Sequence, residues 1–259
     1  LLFYELNRDA EAAELLGRAL ARNANDAEAR MTLGRIFFRR SDYEGARREL
    51  ERALELDSEN GAAHFYLGEI EMASRRFEEA AEHYRKSDLD AARNGLGDAL
   101  LKLGRYDEAE RALEQALSSS GGERAETLYL LGSLRHERGD DPGALEALAE
   151  SSRIDPYRAE TRYLLGTILA RLGRSEEAQR ELGVFRSLKA FEEDKTRLEV
   201  AVLERPGEAD SYRPLIELYL ANGRGAEALP FLEKALLLAP GDPALLELSA
   251  RVREKAPRC

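Results

Sequence analysis

Residues 125–158 read AETLYLLGSLRHERGDDPGALEALAESSRIDPYR. The pair Leu131-Gly132 is followed by Ala144, Leu148 and Ser151, at twelve, sixteen and nineteen residues after the glycine. Between them, Gly139-Asp140-Asp141-Pro142 has the chemistry of a turn joining two helices. Glycine there supplies a left-handed C-cap, and Asp and Pro then start the next helix. Pro156 closes the unit. A small residue on each helix lets the two backbones cross closely, and the leucines fill the space between neighbouring units.

The same register recurs on both sides. Leu-Gly pairs stand at Leu33-Gly34, Leu67-Gly68, Leu96-Gly97 and Leu165-Gly166, so the five glycines are 34, 29, 35 and 34 residues apart. Twelve residues after each comes Ala46, Ala80, Ala109, Ala144 or Ala178, and four further on Leu50, Tyr84, Leu113, Leu148 or Leu182. Ala53, Ser87 and Ala116 match Ser151 in three other copies. Turn sequences Gly104-Arg105-Tyr106-Asp107, Gly173-Arg174-Ser175-Glu176 and Asn222-Gly223-Arg224-Gly225 match the one at Gly139.

This pattern resembles the tetratricopeptide repeat, a 34-residue helix–turn–helix with the signature W-x2-L-G-x2-Y, A-x3-F, P. A divergent copy near the end keeps Leu215, Tyr219, Ala228, Leu232, Ala235 and Pro240, with Ile216 in place of the glycine, and Ala12, Leu16 and Ala19 fit a half copy at the start. The signature Trp is absent and most closing prolines are lost. The resemblance implies an all-α fold, an α-α superhelix or solenoid of helix–turn–helix repeats. Its frames would be a partial repeat over 1–26, repeats over 27–60, 61–89, 90–124, 125–158, 159–208 (with an insert) and 209–242, and a capping helix and tail over 243–259. In that cap, Leu245, Leu246 and Val252 would form the apolar face. The lack of Met at the start and of an N-terminal cap suggest truncation from a longer chain.

Three irregularities interrupt the frame. Repeat 61–89 is about five residues short, so its second helix should end early, near Ser87. A Ser119-Ser120-Gly121-Gly122 loop follows the next repeat. Ala178 and Ala228 are 50 residues apart, and Leu182, Phe185, Leu188, Phe191, Leu198 and Val202 keep a roughly helical spacing between them. One helix over 175–204, about 45 Å long at 1.5 Å per residue, accounts for this; a pair kinked near Glu192–Lys195 is the alternative. Such a segment is either a spacer or a projecting arm for assembly.

Composition bounds the function. The 259 residues include no Trp, one Cys (Cys259) and three His, which excludes an intrachain disulfide and any multi-Cys metal site. The net charge is −11, and the first fifty residues hold nine basic and nine acidic side chains, so the deficit falls on 51–259. That argues against a general nucleic-acid binder. No apolar run reaches the length of a membrane span. Of the 39 basic residues 33 are Arg, a bias common in GC-rich bacterial genomes; whether the compartment is cytoplasm or periplasm is open. His64, His83 and His136 occupy different register positions, and no catalytic or nucleotide-binding motif is present. No cofactor and no metal is expected, and the chain reads as a non-enzyme.

In the family resembled, the first helix of each repeat lines a concave groove through positions 2, 5, 9 and 12. Carried over by register, positions 5 and 9 are Met31/Arg35, Phe65/Glu69, Asn94/Asp98, Tyr129/Ser133, Tyr163/Thr167 and Arg213/Glu217, and position 12 adds Tyr4, Phe38, Met72 and His136, among others. Aromatics and Met supply contact area, and charges give direction. Arg35 and Arg39, one turn apart beside Arg40, could grip a carboxylate or phosphate, unless they are solvated or paired with Glu69. No Lys/Asn pair of the chaperone-tail clamp occurs at positions 5 and 9, and Asn94 has no ladder of neighbours. The expectation is a protein-interaction scaffold holding a peptide or partner protein in the groove. Self-assembly as a homo-oligomer, or recruitment for an enzyme whose catalytic part lies outside this chain, are the rival readings.

Overall fold

The computed structural model describes residues 2–118 and 123–255, with side chains over 9–118 and 123–253. The Ser119–Gly122 loop, the Tyr4 side chain and Cys259 fall outside what is described. Among the described residues there are α-helices and one 3-10 turn, and no strand. The helices are α1 (Leu2–Arg22), α2 (Ala27–Arg39), α3 (Tyr43–Leu56), α4 (Gly61–Ala73), α5 (Phe77–Arg85), α6 (Asp90–Lys102) and α7 (Tyr106–Ser118). They continue as α8 (Arg124–Glu137), α9 (Asp141–Ile154), α10 (Ala159–Arg171), α11 (Ser175–Glu204), α12 (Arg213–Ala221), α13 (Gly225–Leu238) and α14 (Pro243–Lys255). None is long and apolar enough to cross a membrane.

One local device recurs at four of the helix starts. Asp26, Asp42, Asn60 and Asp140 each accept a hydrogen bond from the backbone N–H three residues on, at 2.9–3.0 Å, capping α2, α3, α4 and α9. At the other end, Gly139 adopts φ +82°, and Asp140 N–H bonds back to Arg135 C=O at 2.8 Å, six residues spanning the closed turn. Gly104, Gly173 and Gly223 repeat this geometry. In the two turns where the sequence offers no glycine, Ser41 and Arg75 take the same left-handed conformation at φ 60°, so repeat geometry overrides residue preference.

The chain forms two compact units, residues 6–182 and residues 183–259 with 1–5. In the first, α2, α4, α6 and α8 each contact their own following helix and the first helix of the next pair. The shared register supplies the packing. A β-carbon on Gly132 would lie 2.5 Å from Leu148 Cγ and 3.3 Å from the Ala144 carbonyl oxygen. Gly34 against Leu50 and Gly166 against Leu182 are the same contact. Ala46, Ala80, Ala109 and Ala144 are fully buried, as are Leu50, Leu113 and Leu148. The short repeat ends as its length requires: α5 has nine residues and stops at Arg85.

The segment 175–204 proves to be one uninterrupted helix, of which the residues from 183 on belong to the second unit. Its Phe191 and Val202 are buried with Tyr212, Leu215, Ile216, Tyr219 and Leu232, and the Arg224 guanidinium lies 4.4 Å above the Phe191 ring. This half of α11 is therefore core, packed on α12 and α13. The terminal helix differs from expectation in one side chain. Leu245 and Val252 are buried, but Leu246 is 53% exposed and Leu248 takes its place. Residues three and seven after Leu245 share its face, whereas the adjacent residue is turned about 100° away.

Candidate functional site

Within residues 6–182 a cavity of about 600 Å³ opens between consecutive repeats. Its apolar wall is Phe38 from α2, Tyr43 from α3, and Phe65 and Met72 from α4. Phe38 and Tyr43 rings stand 5.6 Å apart, tilted, and Tyr43 keeps 40% of its surface exposed. The opposite wall is α6 and the start of α8, bringing Asn94, Asp98, Glu123 and Glu126.

Tyr84 forms part of the lining because of two glycines. It occupies the position that is leucine in the other Leu-Gly copies, and its larger ring lies between Gly68 and Gly95. A β-carbon on Gly95 would fall 2.5 Å from Tyr84 Cζ. The ring therefore extends through to the cavity, where the hydroxyl donates to Glu69 Oε1 at 2.6 Å. Burial pushes the Glu69 carboxyl above its usual range; the Tyr84 bond opposes this, and Glu126, Asp98 and Glu123 push it further up. Burial also raises Asp98, with Lys102 at 3.7 Å pulling it part of the way back. Burial and then Glu69 hold the Tyr84 phenol well above its ordinary value.

Asn94 is buried and ties α6 to α8. Its amide donates to Glu123 Oε2 at 3.1 Å, and its carbonyl oxygen accepts from Thr127 Oγ1 at 2.8 Å. Arg158 reaches Glu126 at 3.4 Å from the next pair and lies over the Tyr129 ring.

Of the fourteen groove residues expected from register, Phe38, Phe65, Glu69, Met72, Asn94 and Asp98 line this cavity. The others lie elsewhere. Met31 packs on the Leu50 and Leu67 cluster, Arg35 is exposed, and Arg39 pairs with Asp9 at 3.1 Å. Tyr129 packs between two core clusters. Ser133 and Thr167 hydroxyls donate to carbonyls of their own helices, those of Tyr129 and Tyr163. His136 Nδ1 lies 2.8 Å from Asp141, and Tyr163 is 52% exposed. Tyr43, Tyr84, Glu123 and Glu126 were not expected at the site. Glu126 had a signal, standing at position 2 of its repeat; Tyr84 had one in the Tyr-for-Leu change paired with the additional Gly95.

Two histidines that the register kept apart meet. His64 Nδ1 and His83 Nδ1 are 3.0 Å apart, and His64 Nε2 lies 3.3 Å from the Ser58 carbonyl oxygen. With His64 donating to Ser58, its Nδ1 accepts from His83, an arrangement that requires the His64 ring neutral. Burial lowers both from the ordinary 6.5, and His64 lowers His83 further. Lys86 opposes protonation of both; Glu59 favours it at His64, and at His83 Glu71 favours and Arg47 opposes it. Below pH 6.5 the unfolded chain takes up protons that the folded pair resists, so the pair's stability is full above 6.5 and lost as pH falls toward the lowered folded values. The unfolding free energy from urea titration should drop between pH 7.5 and 5.5, by at most about 1.4 kcal/mol per pH unit for each proton. His83→Gln should flatten that dependence, because Gln can donate to His64 without charging. Glu69 and Asp98, with raised values, titrate in the opposite sense in both proteins and cancel in the comparison. An unchanged slope in His83→Gln would contradict the assignment. Among the described residues, no group of three or more His, Cys, Asp or Glu is placed to hold a metal.

Profiles described as tetratricopeptide repeat match residues 1–57, 31–95 and 94–159, and a second profile of that description matches 159–183. Solved structures agree in fold. The chain is similar to Pseudomonas aeruginosa pilF, with 22% identity, 89% of this chain and 99% of that one covered, and a TM-score of 0.58. It is similar to MamA from Desulfovibrio magneticus, with 20% identity, 63% and 95% covered, and a TM-score of 0.55. The C-terminal part of a TPR repeat-containing protein from Cytophaga hutchinsonii gives 14% identity, 95% and 96% covered, and a TM-score of 0.54. No curated protein matches the chain.

Proposed function

This chain belongs to the tetratricopeptide-repeat family, and on that premise we propose that it is a non-catalytic interaction scaffold whose ligand, a peptide segment of a partner protein, seats in the cavity between α2, α4, α6 and α8. The observation carrying this reading is the cavity itself: about 600 Å³, lined by five aromatic or thioether side chains and five carboxylate or amide side chains among small and aliphatic residues. Sites of this size and mixed lining hold ligand side chains by apolar contact and orient them through a few polar groups. Phe38, Phe65, Glu69, Met72, Asn94 and Asp98 are the proposed contacts. Arg35, Tyr129, Ser133, His136, Tyr163 and Thr167 would extend the surface along the neighbouring repeats, as would Met31 and Arg39.

The test is selection from a displayed random-peptide library against the whole 259-residue protein, followed by affinity measurement on the enriched sequences. Ala91 lines the cavity from the first turn of α6, and Ala91→Trp places an indole inside it. Enriched peptides should lose at least ten-fold in affinity for the variant while its helical circular dichroism stays unchanged. A library that yields no enriched binder, or binders indifferent to Ala91→Trp, would overturn the reading.

A further inference from the structure

Four carboxylates face the proposed peptide cavity: Glu69, Asp98, Glu123 and Glu126. Two have basic partners, Lys102 at 3.7 Å from Asp98 and Arg158 at 3.4 Å from Glu126. Glu69 and Glu123 are held by neutral donors, the Tyr84 hydroxyl and the Asn94 amide. The cavity therefore carries negative charge in excess of its basic neighbours. Opposite Asp98, Glu123 and Glu126, and beside Glu69, stand Phe38, Tyr43 and Phe65; aromatic ring faces attract cations. The carboxylates are not arranged as metal ligands, which leaves an extended organic cation as the complementary charge.

We propose that the side chain seated in this cavity is a Lys or Arg of the partner peptide, its aliphatic stem lying along Phe65 and Tyr43 and its charged head between Glu69, Asp98 and Glu123. The inference rests on the peptide-binding reading above and names its ligand class. A short acidic peptide would bring like charge against four carboxylates, and a wholly apolar segment would bury Glu69 and Glu123 without a counter-charge, a cost several times that of an ordinary polar group. A guanidinium presents five donors and can serve two carboxylates at once, so Arg is the better fit of the two. Burial raises the carboxyls of both Glu69 and Asp98, and at Glu69 the neighbouring carboxylates add to it. Acid that protonates them should weaken binding.

The probes are fluorescein-labelled nine-residue peptides of Gly, Ala and Ser carrying two Arg, with counterparts in which both Arg are replaced by citrulline, norleucine or Glu. Fluorescence anisotropy should show the Arg peptide binding at least ten-fold more tightly than the citrulline peptide, which has nearly the same shape without the charge. Glu69→Gln combined with Asp98→Asn should bring the Arg peptide to the citrulline level; Glu126→Gln, nearer the surface, gives a second variant should the first not fold. Ala91→Trp keeps every charge of the protein and should abolish Arg-peptide binding, so retained affinity there would mean attraction to the general −11 charge and would overturn the proposal. Equal affinity for Arg and citrulline peptides, both lost in Ala91→Trp, would also overturn it and leave the peptide-binding reading intact. If no peptide of any charge binds, the peptide-binding reading falls, and the cationic assignment with it.

Discussion

Leu148→Ala is expected to destabilise the protein by about 3 to 4 kcal/mol, in the range of buried leucine truncations whose surroundings do not collapse. Leu148 is fully buried on α9, and its branch carbon fills the space left by Gly132 on α8. Gly132→Ala in the wild-type background should also destabilise: the new methyl would begin 2.5 Å from Leu148 Cγ, and overpacking of about 1–3 kcal/mol exceeds the ~1 kcal/mol that Ala gains over Gly in a helix. With Leu148→Ala already present, the same substitution should stabilise, because the methyl then enters vacated space and the helix gain survives. Urea unfolding followed by helical circular dichroism measures all four proteins. Simple additivity would show that the two positions are not in contact and would contradict the register of the whole solenoid, since Gly34–Leu50 and Gly166–Leu182 are the same pair.

Arg47→Met should cost about 3 kcal/mol by a different route. Glu71, near the end of α4, has a side chain only 4% exposed and is held by Arg47 of α3 and by Arg76. Burial alone would raise its carboxyl; the Arg76 and Arg47 hydrogen bonds outweigh that and hold it below its usual value. Removing Arg47 leaves the buried carboxylate with one half-exposed partner, and breaking a buried pair on one side is what makes such pairs costly. The double variant Arg47→Met with Glu71→Met should recover most of the loss, because Arg76 is free to turn to solvent. Glu71 also gives the folded state stability that is present above the ordinary carboxyl range and is lost as acid takes the pH through its lowered folded value. That acid-side loss should be smaller in Arg47→Met. A double variant no more stable than Arg47→Met would show that packing, not the stranded charge, sets the cost.

These two sites differ in how far the sequence reveals them. The Gly132–Leu148 contact is legible at a fixed spacing of sixteen residues and repeats in five copies. The Glu71 network is not, because Arg47, Glu71 and Arg76 share no register position and are joined only when α3 and α4 pack. The candidate site divides in the same way. Phe65/Glu69 and Asn94/Asp98 follow from counting positions along first helices, and both pairs line the cavity. The same count placed Tyr129 and Tyr163 in one stripe with Phe65, yet they do not line it. The break falls after α6: Tyr129 on α8 packs between two core clusters, and Tyr163 on α10 is exposed.

By itself the sequence determined what is local and periodic: helix–turn–helix units, left-handed turns at Gly104, Gly139, Gly173 and Gly223, and the close crossing of paired helices. Each depends on residues within one or two turns of each other, or on a spacing repeated several times over. Only the tertiary structure decided which side chains from different repeats converge. It brought Glu123, Glu126, Tyr43 and Tyr84 into one cavity and joined His64 to His83. Those outcomes depend on the distance and rotation between packed helices, which a change of one ring size or five residues in a repeat alters while every local signal stays the same.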